Sequence, residues 1–129
     1  MAKNRYLLDT NAIIFLTTKG NTISTDLYQE LNEADLYISV ITEIELFAKP
    51  TIPPDEEQKL RSFITDRLTV IDLTSTVKKE TISIRRNSKL KLPDCIIAAS
   101  AIVQNAVLLT ADTELHQFNW PGYSVKNPS

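Results

Sequence analysis

Four acidic residues, Asp9, Glu45, Asp94 and Asp112, each stand within a few residues of a point where a strand-like pattern meets a helical one. Asp9 follows the apolar Tyr6-Leu7-Leu8 and precedes a second apolar run, Ala12 to Leu16. Asp112 repeats the pattern after Ala106 to Leu109, with Thr110-Ala111 between and the helical TELHQF beyond. Glu45 lies in ITEIELFAK, directly after the strand-like LYISV, and Asp94 is the one charge of the apolar segment PDCIIAASAIVQ. Singly, each acid has a plain structural use: Asp caps a helix start, and an acid in the first turn gains roughly 0.3–1 kcal/mol from the helix dipole. Jointly they imply more. In a parallel α/β sheet the strands all end on one side, where ligands bind. Carboxylates gathered there repel one another and raise each other's pKa unless a cation neutralises them. Mg²⁺ or Mn²⁺, hard cations that favour oxygen ligands, suit such a set.

The elements that must hold these acids alternate between the two periodicities. Residues 6–8, 36–40, 68–73 and 106–110 read as strands, with Tyr123-Ser124-Val125 as a short edge strand. Helical patterns run to Leu16, from Ser24 through Ala34, over residues 41–49, from Pro54 to Leu68, from Thr74 or Ser75 to Asn87, and along PDCIIAASAIVQ. Lys19-Gly20-Asn21 and Lys49-Pro50 begin breaks. Strands alternating with helices predict an α/β domain whose parallel sheet is covered on both faces. On the helix of residues 41–49, Ile41, Ile44 and Ala48 share one side with Glu45 at its margin, so Glu45 is expected against the domain and Glu43 outward. Asp94 shares a face with Ile97, Ala98 and Ala101 and is expected to point inward, where a lone carboxylate is costly. At the first helix, Thr10 or Asn11 is free to start the helix while Asp9 faces the metal.

With 129 residues, 43% of them hydrophobic and 23% charged, the chain suits one domain over residues 1–129. MAKNRYLLDTN lacks the central apolar segment of a secretory signal, and the longest apolar run, Cys95 to Val103, is far short of the ~20 residues of a membrane-spanning helix. A cytoplasmic protein without membrane attachment is the expectation. Cys95 is the only cysteine, which excludes an intrachain disulfide and a thiolate metal cluster, and its apolar helix assigns it to core packing. A net charge of −2 excludes a broad basic surface for holding nucleic acid. The local exception is RRNSKLK, where Arg85, Arg86, Lys89 and Lys91 precede Asp94. These cations are placed either to grip a phosphate backbone or to complement a helix C-terminus. His116, a full turn past the last acid, is expected at the surface in preference to a metal site, and Trp120 and Tyr123 are expected to cover the sheet edge in preference to stacking bases.

LLDTN, ISVITEIEL, LKLPDCIIAASAI and LLTADTELHQF, in this order and spacing, resemble the PIN-domain family, in the branch of the VapC-type toxins of toxin–antitoxin pairs, over essentially the whole length. The resemblance implies a three-layer α/β/α fold with a mainly parallel central sheet of about five strands. It implies a metal site of Asp9, Glu45, Asp94 and Asp112 supported by Asn11 and Thr110, binding Mg²⁺ or Mn²⁺, and hydrolysis of RNA. It also implies a cognate antitoxin and a homodimer. One departure is Lys49-Pro50, where these toxins often carry a glycine after the glutamate. The competing classes are a Mg²⁺-dependent phosphatase or phosphoacceptor domain and a non-catalytic interaction module. The first wants a second Asp two residues after Asp9, where this chain has Asn11.

Overall fold

A computed structural model describes residues 3–18 and 24–128; the turn expected at Lys19-Gly20-Asn21 lies outside the described residues. The chain runs β1 (Arg5–Leu8), α1 (Thr10–Thr17), α2 (Thr25–Glu33), β2 (Asp35–Ser39), α3 (Val40–Phe47), α4 (Pro54–Arg67), β3 (Thr69–Ile71), α5 (Ser75–Asn87), α6 (Leu92–Gln104), β4 (Val107–Leu109), α7 (Thr113–Gln117) and β5 (Val125–Lys126). The five strands form one sheet in the order β3-β2-β1-β4-β5, and every neighbouring pair is parallel. The parallel sheet read from the sequence is therefore borne out, without an antiparallel edge. The chain steps outward from β1 to β3 and then returns to lay β4 on the other side of β1. That reversal makes the crevice between β1 and β4 the topological switch point, the place where open α/β sheets bind ligands.

Side chains alternate across the strands, and the core splits accordingly. Tyr6 and Leu8 of β1 face one cluster with Ile13, Leu27, Leu31, Leu46, Leu60 and Ile64, while Leu7 faces the other with Val77, Ile84, Cys95, Ile97, Ala98 and Leu115. Helices α1, α2 and α4 cover the first face, and α5, α6 and α7 the second, giving three layers. Local signals set the ends. Ser24 Oγ accepts from Leu27 N and Thr74 Oγ1 from Val77 N, as N-cap residues do. Asn105, in the left-handed region at φ 58°, closes α6, so that Ala106 N donates back to Ala101 O and the chain turns into β4.

Helix α3 departs from the expected facing. Its buried side carries Thr42 and Leu46, both fully enclosed, whereas Ile44 is 56% exposed and Ala48 is exposed. The helix lies where the two clusters meet, Ile41 packing with one and Leu46 with the other, so its inward stripe is not the most apolar one. Leu46→Ala is therefore expected to cost about 2–5 kcal/mol in denaturant unfolding, and Ile44→Ala less than about 1 kcal/mol. Equal losses would contradict this facing.

Candidate active site

The carboxyl ends of β1 and β4 lie side by side, with Leu8 paired to Leu109. Asp9 N donates to Leu109 O at 3.0 Å, carrying the ladder one residue past β1 and bringing Asp9 beside Thr110. Asp9 is only 8% exposed. Both of its carboxylate oxygens are engaged: Oδ1 accepts from Thr10 N at 2.8 Å and Oδ2 from Thr110 Oγ1 at 2.8 Å. Asp9 itself is thus the cap of α1, and the division of labour expected from the sequence, with Thr10 or Asn11 as the cap, is corrected. Chain order explains it: α1 begins at Thr10, leaving Asp9 in extended backbone with its side chain over the first free N–H groups.

Thr110 is fully buried, and all of its polar groups are used. Its Oγ1 donates to Asp9 and accepts from Asp112 N at 3.1 Å, its N donates to Lys126 O at 3.0 Å, and its O accepts from His116 Nε2 at 2.7 Å. Asn11 Oδ1 accepts from Ala111 N at 2.9 Å, a second tie across the same corner. The carbonyl of Asn11 is thereby committed to the loop after β4, so position 11 serves as support and not as the second acid of a phosphatase. Asp112 caps α7 through Oδ1, which accepts from Glu114 N at 2.9 Å.

Asp94 enters from the other layer. It occupies the first turn of α6, half-buried, and the residues expected to share its face, Ile97, Ala98 and Ala101, are all in the core. Burial first, then the charges of Asp112, Asp9, Glu114 and Glu45, push its carboxyl from an ordinary value near 3.8 up to about 6. The four acids read from the sequence therefore meet in one field. Glu45 is solvent-exposed and not held against the domain, yet its charge reaches Asp94, while Glu43 is not among the groups acting there.

Three participants were not legible as such in the sequence. Glu114 adds a fifth carboxylate to the field on Asp94. His116 is half-buried against the Thr110 carbonyl, which corrects its placement as a surface residue. Side chains on a helix lean toward its N-terminus, so a residue one turn along reaches back to the strand end, and that is the signal which identifies it. Tyr123, expected over the sheet edge, is half-buried against the second core cluster, with its hydroxyl donating to Leu115 O at 2.6 Å. Its phenol is also pushed well above the usual range, by burial and then by the charges of Asp9, Asp112 and Asp94. Arg85, Arg86, Lys89 and Lys91 are all exposed. Arg85 and Arg86 occupy the last turn of α5, where cations complement the dipole, and Lys91 is the N-cap residue of α6, three positions before Asp94.

Among the described residues the ion pairs join Lys3 to Asp35, Arg61 to Glu57 and Lys126 to Glu30, and none of them takes up a site carboxylate. The site's negative charge is left without a protein counter-ion, which fits a divalent cation. The donor set fits as well: it is all oxygen, and a carboxylate offers about four lone-pair positions, of which Asp9 uses two in the hydrogen bonds above. Among the described residues no three His, Cys, Asp or Glu side chains stand together closely enough to hold a metal ion as they are placed.

Comparison with known proteins agrees with this architecture. The PIN domain model matches residues 6–121, and the chain belongs to the PIN-domain family, as its motifs suggested. No curated protein matches it. Among solved structures, a chain of VapBC2 from Rickettsia felis, bound to a DNA fragment from the promoter, is 23% identical with a TM-score of 0.77, the match covering 95% of this chain and 98% of that one. A toxin–antitoxin complex from Klebsiella pneumoniae contains a chain 28% identical, TM-score 0.73, with coverage of 96% and 98%. DNA-bound VapBC from Salmonella typhimurium gives 22%, TM-score 0.74, with coverage of 98% and 99%.

Two outcomes follow from the corner and the field. Thr110→Val leaves the buried Asp9 Oδ2 and Asp112 N without their partner and is expected to lower stability by about 1–3 kcal/mol, while Thr110→Ser keeps most of it. Thermal unfolding of both variants checks this. The carboxyl of Asp94 titrates higher in the folded than in the unfolded chain, so folding favours its protonated form. The benefit is complete below about 3.8 and is lost as pH rises through about 6. In metal-free solution Asp94→Asn is therefore expected to stabilise the protein at pH 7, by about 1 kcal/mol after solvent screening, and to have little effect at pH 4. A pH series of melting temperatures reads the difference. Destabilisation at pH 7 would show that Asp94 is not under the strain described.

Proposed function

We propose that the protein is a Mg²⁺- or Mn²⁺-dependent ribonuclease that hydrolyses RNA phosphodiester bonds and acts in the cytoplasm as the toxin of a toxin–antitoxin pair. The observation that carries this reading is the set of acids at the switch point: a buried Asp9 locked by Thr110, with Asp112, Glu114, Glu45 and Asp94 sharing one unneutralised field. Membership of the PIN-domain family and likeness to chains of toxin–antitoxin complexes support it. Among the described residues no helix is long and apolar enough to cross a membrane.

Asp9, Asp94 and Asp112 would hold the metal, directly or through water, with Glu45 as a further ligand or as the base that orients water. When bound, the ion supplies a water of lowered pKa and neutralises charge that builds on the phosphate. The chain's own residues do the positioning. Thr110 fixes the rotamer of Asp9 and, through Asp112 N, the start of α7; Asn11 holds the loop between them. Asp94, protonated more readily than a free carboxyl in the metal-free protein, must give up that proton for a cation to bind beside it, so affinity for Mg²⁺ should rise with pH up to about 6 and level off above it. Exposed Arg85, Arg86, Lys89 and Lys91 supply the cations for the RNA backbone next to Asp94. A small cognate antitoxin that occludes the acids, and a homodimer, complete the proposal.

Incubation of the purified protein with a mixed RNA pool tests it. Cleavage is expected with Mg²⁺ or Mn²⁺ and not with EDTA. Asp9→Asn should reduce the rate at least about a hundredfold, and Asn11→Ala roughly tenfold, as loss of an outer-shell support does. Absence of cleavage with either metal, or full activity of Asp9→Asn, would refute the reading. Sequencing of RNA 5′ ends after induced expression, with the Asp9→Asn chain beside it, identifies the target.

A further inference from the structure

A cleft of about 420 Å³ opens between the α5–α6 connection and the segment from α7 to Trp120. Its walls include Ser88, Lys89, Glu114, Gln117, Asn119 and Trp120. Glu114, which lines the cleft, donates its backbone N–H to the Asp112 carboxylate at 2.9 Å, so the cleft adjoins the turn that carries the last acid. We propose that it is a nucleotide subsite, taking one unpaired base of the RNA next to the scissile phosphate; this deepens the ribonuclease reading and rests on it.

The chemistry of the walls selects that occupant. Trp120 is fixed at the cleft: its ring stacks on Phe118 at 5.8 Å between centroids and 18° between planes, and its Nε1–H donates to Glu80 Oε1 at 2.7 Å. An indole held this way offers a stacking surface without losing side-chain freedom on binding. The amides of Gln117 and Asn119 carry donors and acceptors that match a base edge, and exposed Lys89 offers a charge to a phosphate. The volume lies within the usual range for pockets of small ligands, about 300–1,000 Å³. A paired base is excluded from stacking, because its faces are already covered within the duplex. The subsite thus selects single-stranded RNA, the usual object of sequence-specific recognition in RNA.

Trp120 is the only tryptophan of the chain, so its fluorescence reports on the cleft directly. The test titrates the full-length protein, with Ca²⁺ replacing Mg²⁺ to hold cleavage off, with a single-stranded RNA hexamer, the same sequence as a duplex, and heparin. Binding is followed in parallel by anisotropy of labelled RNA. The hexamer is expected to quench Trp120, and the duplex and heparin are not. Lys89→Ala and Gln117→Ala, both at exposed positions that leave the core intact, should each weaken hexamer affinity about tenfold and raise KM for cleavage by a similar factor with kcat little changed. Hexamer binding without a fluorescence change, equal quenching by heparin, or unaltered affinity in both variants would overturn the subsite while Mg²⁺-dependent cleavage by the wild type still stands. Absence of both cleavage and hexamer binding would instead remove the ribonuclease reading and the subsite with it.

Discussion

The hydrogen bond from Thr110 to Asp9 is the contact on which the rest of the site depends. It joins residues 101 positions apart in sequence, just past the ends of the first strand and the fourth, at the place where the chain reverses its direction of travel across the sheet. A buried carboxylate without such a donor would be costly. With it, one threonine hydroxyl satisfies Asp9, accepts from the backbone before α7, and so sets the spacing between the first and last acids. The sheet supplies the approximate register through Leu8 and Leu109, and the threonine turns that register into a fixed side-chain geometry.

The fold tolerates the resulting repulsion by giving each of the three aspartates a second use. Asp9 and Asp112 cap helices, and Asp94 lies in a first turn where the dipole favours its charge. Local helix stability thus offsets part of the electrostatic cost at the three aspartates. The remainder appears as the elevated pKa of Asp94, the acid that burial and four neighbouring charges act on together. This explains why helix capping and metal chemistry were indistinguishable for each acid taken alone. The residue type that caps a helix is also the type that binds a hard cation, and only the convergence separates the two readings.

Most of the fold was legible because its signals are local. Ser24, Thr74 and Pro54 mark helix starts, Leu27 with Leu31 and Val77 with Ile84 mark inward faces, and α6, buried continuously from Cys95 to Ala101, announces itself by composition. The convergence of acids followed from strand polarity alone. What escaped is what depends on three-dimensional neighbours. Helix α3 lies between two core clusters, so the buried Thr42 and Leu46 outrank the more apolar Ile44, and Glu45 acts from the solvent side. Tyr123 reaches the acids from beyond a turn containing Gly122 at φ 81°, a long-range placement that no periodicity encodes. Glu114 was hidden by its proximity to Asp112, whose side chain accepts the Glu114 N–H and so ties the two acids into one turn.

Under the proposed function, an acidic domain must separate attraction of RNA from chemistry in space. Here the separation follows chain order. Helix α5 ends in Arg85 and Arg86, its connection carries Lys89 and Lys91, and Asp94 comes one turn later, so cations and acids are neighbours in sequence without pairing as ions. Had the lysines neutralised the aspartates, the edge would have lost both its excess of negative charge and its free cations. Keeping them apart leaves each set free for its own ligand. The net charge of −2 then limits nonspecific adhesion elsewhere on the surface, which confines the proposed RNA contact to the edge where cations and an aromatic wall adjoin the turn of the last acid.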